Sequence, residues 1–187
     1  MNAHHQLKSL GRFTLLALLL GTVASASALI EYSDSQRETI VEMVEQLEQR
    51  HYAKLEYDDA LSSAHLDNYI VSLDPGRMFF TAADIREFEK YRQVMDDQLP
   101  EGNLDAGFTI FNRFQQRLQA RLESVLENLP ETVAAMDFTI EEDYELDSEQ
   151  RQWATGQKEL DDRWRKHLKN QVLSLKLADK PMEDIPE

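Results

Sequence analysis

The chain has no cysteine. Disulfides cannot staple it, so its stability must come from a packed core, and no N-terminal cysteine is available for lipid attachment. Glycine and proline are scarce, at six and five residues. No apolar run approaches the roughly 20 residues a membrane span requires. Positive charge is also in deficit: 20 Lys and Arg face 35 Asp and Glu, for a formal charge of -15. Nucleic acid and anionic membrane surfaces attract Lys and Arg, so both are unexpected partners for so acidic a protein.

The first residues form a pattern of their own. Lys8 and Arg12 precede the apolar run Phe13 to Leu20, and the small residues Ala24-Ser25-Ala26-Ser27-Ala28 follow. A charged start, a short apolar centre and an A-x-A site are the marks of a secretory signal peptide. Cleavage is expected near Ala28, giving an exported domain over 29–187, located in the periplasm and carrying no membrane anchor.

The remainder has helical periodicity and no strict alternation long enough for a strand. A helix after Asp34 sets Ile40, Val44 and Leu47 on one face. A second begins at Asp58 as N-cap, carries Leu66, Tyr69, Ile70 and Leu73, and ends at Asp74-Pro75-Gly76. Thr81 with Asp84 is a capping-box-like start for a third, whose stripe is Ile85, Phe88, Tyr91, Met95 and Leu99. A fourth runs from Asp105 with Phe111, Phe114, Leu118, Leu122, Val125 and Leu129, and stops at Pro130. Periodicity is lost from Glu131 to Gln152, an acidic stretch expected to lie extended on the bundle. Thr155 opens the last helix, with Leu160, Trp164, Leu168, Val172 and Leu175 on its apolar face. The expected fold is all-α, an irregular bundle of about five helices with an extended acidic connection before the last.

Chemistry is thinly represented. The residues from 29 onward hold no G-x-S-x-G, H-E-x-x-H, S-x-x-K or glycine-rich phosphate loop. Ser174 and Lys176 stand two residues apart on a helix and so point to different faces. His51, His65 and His167 fall on three different helices, without the i, i+4 spacing of helical metal sites. Asp143, Glu145, Asp147 and Glu149 alternate like a calcium loop but lack the glycine such a loop turns on. No catalytic residue, metal or cofactor is expected. The run Arg163 to Lys169 is basic, but with Trp164 on the apolar face it reads as a core tryptophan flanked by cations whose stems cover apolar surface. Arg113, Arg117 and Arg121 recur every fourth residue and line one face of the long helix. That row is the candidate partner-binding face; its alternative is pairing with carboxylates such as Glu87 or Glu89.

Several segments carry a family likeness: His51-Tyr52, Leu66 to Asp74, Phe79-Phe80-Thr81-Ala82-Ala83-Asp84-Ile85, Met136-Asp137-Phe138-Thr139 and Leu173 to Leu177. In their order and spacing they resemble the N-terminal domain of bacterial tail-specific proteases, of the carboxy-terminal processing (S41) family. The resemblance implies a helical domain that precedes a PDZ domain and a Ser/Lys protease domain and helps to hold a substrate platform and engage adaptors. No PDZ or protease segment occurs up to Glu187, so none of that family's catalytic residues can be placed here. The expected role is a non-catalytic scaffold and recognition domain, truncated or split from its protease, with protein partners. The alternative is a freestanding periplasmic binding or adaptor protein.

Overall fold

Local capping chemistry fixes where the helices begin. In a computed structural model, which describes residues 29–50, 56–148 and 151–178, Asp58 caps α2 (Asp59–Leu73) by accepting from Leu61 N at 2.9 Å. Thr81 and Asp84 form a complete capping box at α3 (Ala82–Phe88), each side chain accepting from the other's backbone N–H. Between these helices the Asp74 carboxylate, almost fully buried, accepts from the N–H groups of Met78, Phe79 and Phe80 at 2.8–2.9 Å. One aspartate thus satisfies three donors of a turn that a buried chain would otherwise leave orphaned.

The remaining elements among the described residues are α1 (Asp34–Arg50), a 3-10 turn (Glu89–Tyr91), α4 (Met95–Gln98), α5 (Asp105–Ala134) and α6 (Gln157–Leu177). The all-α expectation holds, with six α-helices described. The expected leader, residues 1–28, lies outside the described residues, as do His51, Tyr52 and Glu149.

Phe80 is the centre of the core. It is fully buried, with ring centroids of Phe88, Phe114 and Trp153 at 5.4, 5.9 and 6.3 Å. Val44, Leu66, Ile70, Met95, Leu99, Ala106 and Ile110 complete the cluster. Fully burying such a side chain contributes about 1.5–3 kcal/mol each before ordering entropy is counted.

Four expectations need correction. The helix read from Thr81 to Leu99 breaks into α3, the 3-10 turn and α4. The stripe residues Phe88, Met95 and Leu99 are buried all the same. Contacts with α2 override helix propensity here: Arg92 is held by Asp67 and Ser63, and Ser62 Oγ accepts from Met95 N. The long helix does not stop at Pro130 but continues to Ala134. Pro130 leaves the Leu126 carbonyl without its usual donor, and both residues are exposed, so water can serve instead. The buried face of α5 holds Ala106, Ile110 and Arg121, while Leu122 is exposed. Leu47 likewise faces solvent rather than the core.

The acidic stretch after α5 is extended, as expected, and returns along α6. The Tyr144 hydroxyl and His167 Nδ1 are 2.8 Å apart, and the Glu142 carboxylate meets Arg165 and Lys169, each at 2.6 Å. Further on, Ala82 N donates to Ala154 O at 2.7 Å, a lone bridge between two segments running parallel. Arg77, Arg151 and Arg163 reinforce it by donating to the carbonyls of Arg151, Gly76 and Arg77 respectively. Thr155 offers both its N–H and its hydroxyl to Glu159, which fixes the start of α6.

Candidate functional site

The arginine row lies on the face of α5 turned toward α3 and α6. Asp84, already the N3 residue of its helix cap, has its second oxygen facing α5. There it accepts from Arg113 at 2.5 Å and Arg117 at 3.0 Å. Arg113 also reaches Glu87 at 3.0 Å, whereas Glu89 is taken by Arg92. Burial pushes the Asp84 carboxyl up, but hydrogen bonds from Arg117, Thr81 and Arg113 outweigh it and hold the group below the usual carboxylate range. One turn further on, Arg121 is 9% exposed and donates to Asp161 at 2.6 Å, with its guanidinium 5.8 Å from the centre of the Trp164 ring. The structure thus brings Arg113 and Arg117 together on one carboxylate and gives Arg121 to another helix.

Beyond Arg121 lie Ser124, Val125 and Asn128 of α5 and Trp164, Leu168 and Lys169 of α6. They leave a cavity of about 430 Å³ whose apolar walls include Val125, Met136, Ile140, Trp164 and Leu168. A smaller space of about 250 Å³ continues it toward Met78, Phe79, Arg117 and Leu160, with Arg121, Ser124 and Asp161 common to both. The rim is a set of closed ion pairs. Arg165 bridges Glu142 and Asp162, and Lys169 shares Glu142 and donates to Ile140 O. Arg165 first, then Lys169, pulls the Glu142 carboxyl down to about 2. These pairs fasten the connection to α6, and its residues Met136, Asp137 and Ile140 form one wall of the trough. The size suits a polypeptide or small-molecule site.

Ser174, His65 and His167 are engaged in structure. Ser174 Oγ donates to the Asn170 carbonyl of its own helix. The imidazole of His65 lies 2.6 Å from the Tyr57 hydroxyl through Nδ1, and that of His167 is bonded to Tyr144 in the same way. Among the described residues no group of three or more His, Asp or Glu side chains is placed to hold a metal ion, and no helix is long and apolar enough to cross a membrane. The trough itself was missed in the sequence. Its signal is that Met136, Phe138 and Ile140 are apolar at alternate positions just before the acidic run begins at Glu141.

Fold and site together define an all-α module whose worked surface is an ion-paired seam between two helices. Residues 43–187 match the model of the tail-specific protease N-terminal domain, and the chain belongs to that family. A tail-specific protease of Haemophilus influenzae is 31% identical over 140 residues, taking in 74% of this chain and 20% of that protein. The chain thus spans about a fifth of that relative's length.

Proposed function

We propose that this domain serves tail-specific proteolysis as a non-catalytic scaffold and recognition unit, working in the periplasm after loss of residues 1–28. The observation that carries the reading is the α5–α6 seam. A trough with apolar walls, open between two helices and edged by paired charges, is a surface shaped for contact. Family membership adds that the proteins sharing this domain include a far longer protease. The contacts expected are with the remaining domains of such a protease, or with an adaptor or protein substrate.

Arg113, Arg117 and Arg121 belong to this face as its built edge. Because they hold Asp84 and Asp161, reversing their charge would unseat α3 and α6 together with any partner. The contact is better tested from the trough wall. The purified chain should co-elute in size-exclusion chromatography with a tail-specific protease deprived of its own N-terminal domain, and Val125→Glu should abolish the complex. Separate elution of the two proteins refutes the reading. Osmotic-shock fractionation should release the processed chain, and recovery of an unprocessed chain in the cytoplasm would contradict the location.

A further inference from the structure

The second half of α6 reverses the charge of the rest of the chain. From Arg163 to Ala178 it holds five Lys or Arg and no Asp or Glu, in a protein where carboxylates outnumber cations 35 to 20. Arg165 and Lys169 share Glu142, and Arg165 and Lys166 share Asp162. Lys176 meets no carboxylate among the described residues; its Nζ lies 4.2 Å from the centre of the Phe138 ring. Even with neighbouring Asp143 counted, the four cations Arg165, Lys166, Lys169 and Lys176 face only three carboxylates.

Apolar side chains are exposed among these cations. Lys166, Lys169, Leu173 and Lys176 recur at steps of three and four, so they share one face of the helix, and Leu177 sits one turn beyond Leu173 on it. Leu173 is 39% exposed, Leu177 78%, and Ile140 of the connection 56%. Phe138, Ile140 and Leu173 line, with Lys166 and Lys169, a pocket of about 120 Å³. Small-molecule sites begin at roughly 300 Å³, so this one takes a side chain rather than a whole ligand. An exposed apolar patch rimmed by charge marks a contact with a protein or a membrane. An anionic membrane is a plane, and it would meet the carboxylates that dominate the rest of the domain as well as these lysines. A single segment touches the patch alone, because exposed charges more than about 8 Å away are largely screened at physiological salt.

We propose that the C-terminal half of α6, with Phe138 and Ile140, docks an acidic segment of another polypeptide. An aliphatic side chain of that segment enters the pocket beside Leu173, and carboxylates next to it face Lys176 and Lys166. This rests on the reading of the domain as a recognition unit and adds a second surface, which borders the α5–α6 trough at Ile140, Glu142 and Lys169.

Isothermal titration of the whole chain with an acetylated, amidated peptide of about twelve Leu and Glu residues should show saturable binding, weakened about tenfold between about 50 and 300 mM salt. Replacing every Glu of the peptide by Gln, or every Leu by Ser, should weaken it about tenfold or more. Lys176→Glu, in the exposed last turn of α6, should cost about tenfold, and Leu177→Gln about threefold. Lys158→Glu makes the same change of charge at the exposed start of the same helix and should alter binding by no more than about twofold.

A flat titration overturns the assignment. So does binding that Lys176→Glu leaves unmoved, or that Lys158→Glu weakens equally, since either means attraction to charge in general. Sedimentation of the chain with phosphatidylglycerol vesicles, lost in Lys176→Glu, gives the patch to a membrane and overturns it too. If the chain still co-elutes with the protease while the Leu/Glu peptide gives no heat, the scaffold reading stands and this assignment falls.

Discussion

Asp84 ties the start of α3 to the arginines of α5. Its two oxygens accept from Thr81 N, Thr81 Oγ, Arg113 and Arg117, and the residue is 1% exposed. Asp84→Asn keeps the shape and removes the charge, leaving two guanidiniums facing a neutral amide. The expected loss is on the order of 3 kcal/mol in urea denaturation, because breaking a buried pair strands its partners. Glu87→Gln, whose carboxylate is exposed on the same arginine, should cost less than about 1 kcal/mol. Equal losses for the two variants would contradict the assignment of Asp84 as the junction. The Thr81–Asp84 cap was legible because its partners are three residues apart. That Asp84 also receives two arginines was not, since α5 supplies them from 29 and 33 residues further along the chain.

Helices show the same division between local and distant causes. Asp58, Thr81 and the Asp74-Pro75-Gly76 turn were readable because each acts within a few residues. The break after Phe88 was not, because Asp67, Ser62 and Ser63 impose it from α2. In α5 the sequence stripe and the buried face diverge after Phe114. The neighbouring elements bring carboxylates to Arg113, Arg117 and Arg121, and Leu122 beside Arg121 turns outward. Pro130 offers a direct check. It lies inside α5 and is exposed, so Pro130→Ala should restore the helix bond to Leu126 and raise stability by about 1 kcal/mol, part of the ~3 kcal/mol a mid-helix proline costs. A fall in the thermal midpoint would mean that the proline shapes a needed bend. Gly102, at φ 74, closes the turn before α5. A Cβ there would stand 2.4 Å from Arg37 Cγ. Gly102→Ala should therefore destabilise by about 1–2 kcal/mol in the same melt.

Taken as one molecule, the domain is poised to lose stability in acid in two stages. Burial holds His65 and His167 below the ordinary histidine value, and the charge of Arg151 adds to this for His167. The unfolded chain then takes up protons first as the pH falls past about 6.5. Stability is full above that pH and declines as the pH drops through the folded values. Asp84, Asp161 and Glu142 are also held low, so a second decline should follow below about pH 4. Urea midpoints measured across pH 3–8 should show both stages, and His65→Gln with His167→Gln should remove the first alone. A flat profile between about pH 5 and 7 in the unaltered chain would contradict this account. The all-helical class and the extended connection were legible from periodicity and its loss. The trough was not, because it is the space left among α5, α6 and the connection between them, and no local pattern encodes an empty volume.

The claim that this domain works by contact rather than by its own chemistry is tested most directly by a reporter-cleavage assay in trans. A tail-specific protease lacking its N-terminal domain is mixed with this chain and a peptide reporter. The account predicts no hydrolysis by the chain alone, restored hydrolysis by the mixture, and loss of the restoration with Val125→Glu. Sustained hydrolysis by the chain alone, after rigorous removal of contaminating proteases, would contradict it.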